Sequence, residues 1–338
     1  MRLRVGLVGL GDQWDSRHRP ALKAMEDRFD VRAICCEVAE RSKLVATEFD
    51  ATPMDGFRAM IERDDIDAVL ALATDWVGPL PILAACESGK AVYSSAILDV
   101  SPDQAKDIWR RVNESGVAFM AELPRRYSPA TIRLKELIAT RLGPPRMMFC
   151  HDRLPVESQV NHLRRGEYCP IVWRHLMEQV DWCRYLVDRD PESVFSVVHE
   201  TAADQIFYQM VSLDFPVGEN GVQPVAQISL GHYVPEKWSD ALSFRRPASI
   251  QIRCENGMAF IDLPNSLIWF DDAGQHTESL EFDHPVGVVM LDRFHRAVTS
   301  LIRQQSDLED AYRAMQVVLT ANKSASSGNR IPIAEIGQ

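Results

Sequence analysis

The chain has 338 residues, 46% hydrophobic and 25% charged, which is the composition of a globular protein too long for a single hydrophobic core. Its 37 Lys and Arg against 48 Asp and Glu give a net charge of −11, which repels a phosphate backbone and argues against nucleic acid as a partner. No segment of the sequence approaches the roughly 20 apolar residues of a membrane span, so we expect no membrane association.

Seven cysteines give an odd count with no CxxC pair, which argues against a disulfide framework and against a zinc ribbon. We therefore expect reduced thiols, most of them acting as small buried apolar groups. The first residues are charged and then apolar for only a short stretch before Gly9, which is not the pattern of a secretory signal. Together these features predict a cytoplasmic protein.

The first third of the chain alternates short apolar runs with amphipathic segments. Strands are predicted at residues 3–10, 31–36, 66–73, 91–94 and 117–121, and helices at 20–26, 38–49, 55–63 and 79–88. A further helix is predicted to begin at Ser101, a preferred N-cap, and to end at Gly116. This alternation predicts an α/β Rossmann domain over residues 1–122, with a doubly wound parallel sheet covered on both faces.

The pattern changes after Leu123, where strands begin to follow one another without intervening helices. Helices are predicted at 129–140, 172–187, 289–304 and 307–324, and strands at 146–152, 193–200, 205–215, 225–233, 249–255, 257–262 and 266–270. We therefore expect residues 123–338 to form an α+β domain with an open, mostly antiparallel sheet. This second domain would bind the substrate and mediate oligomerisation.

The turn after the first strand carries Gly9-Leu10-Gly11, a pattern that lets backbone N–H groups approach the pyrophosphate of a dinucleotide. Asp12 and Gln13 would lie beside that group. Trp14 stands at the position of the third glycine of GxGxxG, and its bulk changes how closely the helix and the pyrophosphate can approach each other. Glu37 closes the second strand, where a carboxylate accepts the ribose hydroxyls of NAD and repels the 2′-phosphate of NADP. The expected cofactor is NAD rather than NADP, and the alternative is a strand-to-helix turn that binds nothing.

Several further motifs, in this order and spacing, resemble the glucose-fructose oxidoreductase and inositol dehydrogenase (Gfo/Idh/MocA) family over nearly the full length. They are Val8-Gly9-Leu10-Gly11 with His18-Arg19-Pro20-Ala21-Leu22, Asp65-Ile66-Asp67-Ala68-Val69, Gly89-Lys90-Ala91-Val92, Arg125-Arg126-Tyr127-Ser128-Pro129, Glu255-Asn256-Gly257 and the closing segment from Glu309-Asp310-Ala311 to Gly328. The resemblance implies NAD or NADP on the Rossmann domain and oxidation or reduction of a sugar or cyclitol in the second domain. It also implies that residues around Thr74, Asp75 and Ser95 lie on the nicotinamide side.

The departures from the family pattern fall on its catalytic positions. Where the family has Glu-Lys-Pro, whose Lys helps to move the hydroxyl proton, this chain has Ser95-Ala96-Ile97. The family also places Asp and His four apart on its long helix, and alignment on Asp181 puts Arg174 and Glu178 at those two positions. Either another group has taken over proton transfer, which typically contributes 10²- to 10⁴-fold in rate, or the redox step is lost.

Candidate replacements lie on the same predicted helix, where His175, Glu178 and Asp181 are three residues apart and share overlapping faces. His175 with Glu178, or Glu178 alone, would act as the catalytic acid–base group. Arg125, Tyr168 and Arg174 would contact substrate, and the surplus of cations between residues 151 and 174 suggests a ligand that carries negative charge. The competing interpretation is a salt-bridged surface helix. Cys169 and Cys183 beside His175 match no standard zinc spacing, so no metal is expected.

These observations favour an NAD(P)-linked oxidoreductase that acts on a sugar, a cyclitol or a sugar acid by hydride transfer. A non-catalytic ligand-binding or accessory homologue is the alternative from a different class of protein. A lyase or hydrolase that uses NAD as a bound auxiliary is a third. An open single-layer sheet with apolar residues on both faces further predicts a homo-oligomer, a dimer or tetramer.

Overall fold

A computed structural model describes residues 1–73, 76–95, 100–155, 171–200, 206–218, 221–281, 285–300 and 306–333. These residues divide into two compact units. The first unit comprises residues 1–124 and the described part of 284–312, and the second comprises the described parts of 125–283 and 313–338. Within the described residues, no helix combines the length and the apolar character that crossing a membrane requires.

The first unit is built on a six-stranded parallel sheet with helices between its strands. The strands are β1 (Leu3–Val8), β2 (Phe29–Cys35), β3 (Thr52–Pro53), β4 (Ala68–Ala71), β5 (Ala91–Ser94) and β6 (Phe119–Ala121), in the order β3-β2-β1-β4-β5-β6. The helices between them are α1 (Arg19–Ala24), α2 (Ala39–Phe49), α3 (Phe57–Ile61), α4 (Leu80–Glu87) and α5 (Pro102–Ser115). Every residue of β4, β5 and β6 is buried, as expected for a parallel sheet covered on both faces.

The second unit contains a nine-stranded sheet. Its strands are β7 (Pro145–Pro155), β8 (Ser193–Glu200), β9 (Ile206–Asp214), β10 (Val225–Val234), β11 (Ile250–Cys254), β12 (Met258–Asp262), β13 (Ser266–Asp271), β14 (Gly274–Ser279) and β15 (Ile331–Pro332), in the order β14-β13-β12-β11-β7-β10-β9-β8-β15. Only the β7–β10 pair is parallel among these described strands. The remaining helices of the chain are α6 (Pro129–Leu137), α7 (Ile171–Val187), α8 (Ser239–Ser243), α9 (Val286–Thr299) and α10 (Ser306–Ser327). The predicted fold class is confirmed in both units.

The long helix α7 packs against β7 and β10 on one face of this sheet. Cys150 of β7 and Cys183 of α7 meet with their sulfurs 3.7 Å apart, and both are buried. On the opposite face of β7, Met147 and Phe149 are 42% and 38% exposed. Alternate residues of β7 therefore divide between a covered face and an open one.

Several predicted boundaries were wrong, each for a local reason. The strand expected at 3–10 ends at Val8, because Gly9 adopts a φ of +67°, which an extended strand cannot contain. The helix expected at 20–26 is shorter, α1, and is preceded by a π-helical turn over Trp14–His18. The helix expected at 129–140 ends as α6 and continues into a second π-helical turn, Ile138–Leu142, that Gly143 closes with a φ of +71°.

Four elements that are short or exposed were not predicted from the sequence. The pattern did not predict β3 and β15, which have two residues each, nor α8 or the exposed edge strand β14. The helix expected at 289–304 begins earlier, at Val286, because Pro285 takes an extended conformation and starts it. The helix expected from Ser101 has the predicted start: Ser101 and Gln104 form a reciprocal capping box, and Gly116 stops it in the left-handed region.

Candidate functional site

The turn after β1 requires glycine at two positions. Gly9 and Gly11 have φ values of +67° and +60°, and a Cβ atom would lie 2.2 Å from the carbonyl oxygen of Ala73 at Gly9 and 2.6 Å from that of Leu72 at Gly11. A side chain at either position would collide with the backbone that follows β4. The first two glycines of the pattern therefore let the turn lie directly on the neighbouring strand end.

The residue in the place of the third glycine points away from that turn. Trp14 is only 2% exposed, and its ring packs against Phe49 of α2 with the ring centres 5.9 Å apart. Asp12 and Gln13, which precede it, are exposed. The bulky indole is accommodated in the core of the first unit, so it leaves the turn at residues 11–13 open to solvent.

The other residues predicted to bind the cofactor differ in how the structure places them. Glu37 is exposed two residues beyond the end of β2. The Ser95 hydroxyl donates to the carbonyl oxygen of Leu72 at 2.6 Å and so joins the ends of β5 and β4. Thr74 and Asp75 lie outside the described residues. The exposed turn, the withdrawn indole and the exposed carboxylate after β2 form a donor and acceptor set that fits a dinucleotide at the carboxyl edge of the sheet.

A buried ionic cluster that sequence reasoning missed lies at the same edge. Glu122 directly follows β6 and is 6% exposed; its carboxylate accepts from the Arg17 guanidinium and lies 3.0 Å from Nε2 of His18. Burial alone would raise the pKa of Glu122, but His18 and Arg17 together hold it below its ordinary value. No local pattern could signal this cluster, because Glu122 lies 105 positions from Arg17 and 104 positions from His18 in the sequence.

In the second unit, Arg125 is the centre of another buried ionic cluster. Its Nη2 donates to Asp152 Oδ2 at 2.7 Å, and its Nε lies 3.4 Å from Glu178 Oε2. The side-chain amide of Gln179 also donates to Asp152, at 2.6 Å. Burial would raise the pKa of Asp152, but the charge of Arg125 and these hydrogen bonds lower it. The structure thus brings together two residues predicted from the sequence, Arg125 and Glu178, with a carboxylate from β7.

His175 lies one turn before Glu178 on α7. Its Nδ1 is buried and has no hydrogen-bond partner among the described residues. Burial lowers the pKa of His175, and the nearby Glu178 carboxylate partly opposes that shift. The lowered pKa favours a neutral imidazole at neutral pH, and its Nδ1 is unpartnered among the residues that the structure describes.

Asp181, the third predicted catalytic residue, occupies a different environment. It is 2% exposed, and its Oδ2 accepts from Arg126 Nε at 2.6 Å while Arg184 lies 3.6 Å from its Oδ1. Asp181 therefore has two buried cationic neighbours, Arg126 and Arg184, and Arg184 also donates to Asp190 at 2.6 Å. Arg174 is half-buried on α7, and Tyr168 lies outside the described residues.

No group of three or more His, Cys, Asp or Glu in the described part of the chain could hold a metal ion. Cys183, considered as a ligand beside His175, instead faces Cys150 across the helix–sheet interface. The hydrogen bond with Cys150, together with burial, raises the pKa of Cys183 well above its ordinary value. The thiol therefore packs as an apolar group.

The fold and the first site define a class: a protein with a Rossmann unit of the dinucleotide-binding type and a separate mixed-sheet unit. Residues 3–123 match the model of the oxidoreductase family with an NAD-binding Rossmann fold, GFO_IDH_MocA. This match lies within the first unit, and it agrees with the resemblance to the Gfo/Idh/MocA family that the sequence motifs indicated.

Relatives of known function include both an enzyme and a regulator. The inositol 2-dehydrogenase/D-chiro-inositol 3-dehydrogenase of Halalkalibacterium halodurans is 29% identical over 208 residues, which are 57% of this chain and 55% of that protein. The galactose/lactose metabolism regulatory protein GAL80 of Saccharomyces cerevisiae is 28% identical over 149 residues, 40% of this chain and 34% of the relative. The chain thus matches between about a third and just over half of the length of these relatives.

A solved structure is similar over the whole chain. Levoglucosan dehydrogenase, in complex with NADH and levoglucosan, superposes with a TM-score of 0.84 and covers 99% of this chain and 100% of its own. The two sequences are 16% identical. At this identity the likeness concerns the fold, which both units share with that enzyme.

Proposed function

We propose that this protein is an NAD-linked oxidoreductase that oxidises a hydroxyl group of a sugar or cyclitol, or reduces the corresponding ketone. The observation that carries the proposal is His175: a neutral imidazole with an unpartnered, buried Nδ1 among the described residues, beside the carboxylate of Glu178. Such a group can take a hydroxyl proton at neutral pH. It would supply the proton chemistry that Ala96 and the altered helix motif removed.

The cofactor would lie across the carboxyl edge of the first sheet. Gly9 and Gly11 allow the turn that would receive its pyrophosphate, and Asp12 and Gln13 would border it. Glu37 would accept hydrogen bonds from the adenine ribose and repel a 2′-phosphate, which favours NAD over NADP. When bound, the nicotinamide accepts or gives the hydride, and every proton must be handled by the protein.

On α7 we assign the proton to His175. Glu178, one turn later, would stabilise the imidazolium that forms, since its negative charge already raises the pKa of His175 against the effect of burial. Arg125 holds the Glu178 carboxylate at 3.4 Å and so limits where it can point. We give Asp181 no part in this step, because Arg126 and Arg184 already neutralise it.

The charges around Arg125 bear on the substrate class. Its guanidinium is balanced by Asp152 and Glu178, so it offers little net attraction to an anion. We therefore propose a neutral polyol, a sugar or cyclitol, as the substrate, and a sugar acid as the competing outcome. Carboxylates such as Asp152 and Glu178 are good acceptors for the hydroxyl groups of a polyol.

The test has a binding step and a turnover step on the purified full chain. NADH and NADPH are titrated by intrinsic fluorescence, and formation of reduced nicotinamide from NAD is then followed with a neutral cyclitol, a neutral aldose and an aldonic acid. We expect NADH to bind more tightly than NADPH, and one of the neutral polyols to be turned over.

Each other result contradicts a defined part of the proposal. Absence of binding by either dinucleotide would support the non-catalytic binding protein, which the replaced family Lys and His favour. Consumption of substrate with no net change in the nicotinamide would support a lyase or hydrolase with NAD as an auxiliary. Turnover of the aldonic acid alone would refute the neutral substrate class.

The exposed face of the second sheet supports assembly into a homo-oligomer. Met147 and Phe149 on β7, with Phe270 on β13, are between 38% and 42% exposed, which is unusual for large apolar side chains in one sheet. We propose that a second copy of the chain covers this face. Light scattering at micromolar concentration should give at least a dimer mass, and Phe149→Glu should lower it; a monomer mass for the unmodified chain contradicts the proposal.

A further inference from the structure

Glu122 is a buried carboxylate in the first unit with no role in the proton chemistry of the second. Its side chain is 3% exposed, and both of its oxygens have side-chain partners, the Arg17 guanidinium at Oε1 and the His18 imidazole at Oε2. A carboxylate is taken out of water at a large cost unless such partners compensate it. The site is therefore a specifically built contact between the end of β6 and residues 17 and 18.

Those two partners belong to the loop that follows the glycine turn. Residues 14–18 form a π-helical turn in which the backbone N–H groups of Arg17 and His18 both donate to the carbonyl oxygen of Gln13, at 2.9 and 3.1 Å. The loop is thus one continuous unit from the exposed Gln13 to the buried His18. Whatever fixes Arg17 and His18 also fixes the carbonyl of Gln13.

This loop lacks the third glycine that lets the helix pack closely against the strand in the GxGxxG pattern. Its conformation is instead held from two sides: the Trp14 ring packs on Phe49, and Glu122 binds Arg17 and His18. The backbone is also closely packed at its far end, because a Cβ on Gly287 of α9 would lie 2.8 Å from the carbonyl oxygen of Arg17. The turn at residues 11–13 remains exposed between these contacts.

We propose that Glu122 is a positioning residue for the dinucleotide: its contacts with Arg17 and His18 hold the loop of residues 12–18 in the conformation that receives the pyrophosphate. This inference rests on the proposed binding of a dinucleotide. Glu122 acts through the loop and does not itself touch the cofactor. Its contact with Arg17 and His18, made from the end of β6, takes the place of the tight packing that a third glycine would provide.

Glu122→Gln tests this, because it keeps the shape of the side chain and removes its charge. We expect the Kd for NADH to rise about tenfold, equivalent to about 1.4 kcal/mol, and the KM for the polyol and kcat to stay within about twofold. Hydrogen exchange at residues 12–18 of the cofactor-free protein should become faster. The matched control is Asp67→Asn, which removes another Arg–carboxylate pair of the same unit, with Arg4, outside this loop; it should leave the Kd for NADH unchanged.

Arg17→Met provides a second variant if Glu122→Gln does not fold, since Arg17 is partly exposed and its loss leaves the His18–Glu122 pair in place. It should also weaken NADH binding and speed exchange in the loop. A lower melting temperature with an unchanged Kd would refute the proposal and leave dinucleotide binding intact. If the unmodified chain bound neither NADH nor NADPH, the proposed function and this inference would both be wrong.

Discussion

The two units each contain a largely buried cluster of three polar side chains around one central charge, and the two central charges are of opposite sign. In the first unit an anion, Glu122, lies between Arg17 and His18. In the second a cation, Arg125, lies between Asp152 and Glu178. Each central charge thus has two side-chain partners in its cluster.

The difference lies in what remains beside each cluster. In the first, the histidine is itself a partner of the central carboxylate through Nε2, although its Nδ1 is also buried without a partner among the described residues. In the second, the histidine is additional: His175 stands beside Glu178, its buried Nδ1 has no partner in the described part of the chain, and its pKa is lowered. The first cluster is suited to holding a loop, and the second to moving a proton.

Loss of His175 should have the largest effect of the predicted changes, and the effect should be on turnover. His175→Ala is expected to lower kcat by roughly 10²- to 10⁴-fold, the usual contribution of a general acid–base group, with the Kd for NADH unchanged. His151→Ala is the matched control, because His151 is in the same unit and burial also lowers its pKa, but it bonds to Ser229 on β10. Equal loss of turnover in both variants, or none in His175→Ala, would contradict the assignment.

Loss of the central cation should destabilise the fold. Arg125→Met leaves the buried Asp152 and the partly exposed Glu178 without their cation, and removing one partner of a buried ion pair typically costs about 3–5 kcal/mol. The control is Arg133→Met, which breaks the half-exposed pair with Glu278 and should cost below about 1 kcal/mol. The free energies of unfolding come from urea titrations. Similar losses for both variants would show that burial of the Arg125 cluster adds nothing.

The preference for NADH over NADPH should change by less than the turnover and the stability in the two preceding predictions. Glu37→Ser removes the carboxylate expected to repel a 2′-phosphate, and we expect the ratio of NADPH to NADH affinities to rise about tenfold, or about 1.4 kcal/mol. Glu40→Ser removes a nearby exposed carboxylate that pairs with Lys43, and should leave that ratio unchanged. If Glu37→Ser leaves the ratio unchanged as well, Glu37 does not contact the ribose.

Much of the first unit follows from sequence patterns because its determinants are local. The turn at Gly9 and Gly11 and the capping box at Ser101 are each set by residues within a few positions of one another. The packing of the Trp14 ring is not determined locally, because its partner Phe49 lies on another helix. The sequence could therefore place a tryptophan in the cofactor turn, but not show that its ring turns inward.

The second site shows the same limit more sharply. Helical spacing correctly groups His175, Glu178 and Asp181 on overlapping faces of α7, but it does not say what each face meets. The environments of the two carboxylates depend on two consecutive arginines: Arg125 binds Glu178, and Arg126 binds Asp181. One carboxylate remains beside His175 and the other becomes part of a structural ion pair. Such a division depends on backbone packing that no periodicity encodes.

The smallest expected effect is on pH dependence. Because burial lowers the pKa of His175, hydroxyl oxidation should decline only at pH values below the ordinary histidine value of about 6.5, where the imidazole becomes protonated. The groups that face it are Glu178, Asp152, Arg125 and Arg174, of which the two carboxylates raise its pKa and the two arginines lower it. Glu178→Gln removes one raising charge, so the acid limb of the kcat profile should move to lower pH.

The same shift gives a stability effect of defined sign. Below pH about 6.5 the unfolded chain binds a proton at residue 175 more readily than the folded chain does, so the free energy of unfolding should fall as the pH is lowered. His175→Gln cannot titrate and should therefore lose less stability than the unmodified chain between pH 7 and pH 5. An equal loss in both proteins, measured by urea titration at each pH, would place that loss on other groups such as His151. It would also mean that His175 does not have the buried, neutral imidazole on which proton transfer in the second unit depends.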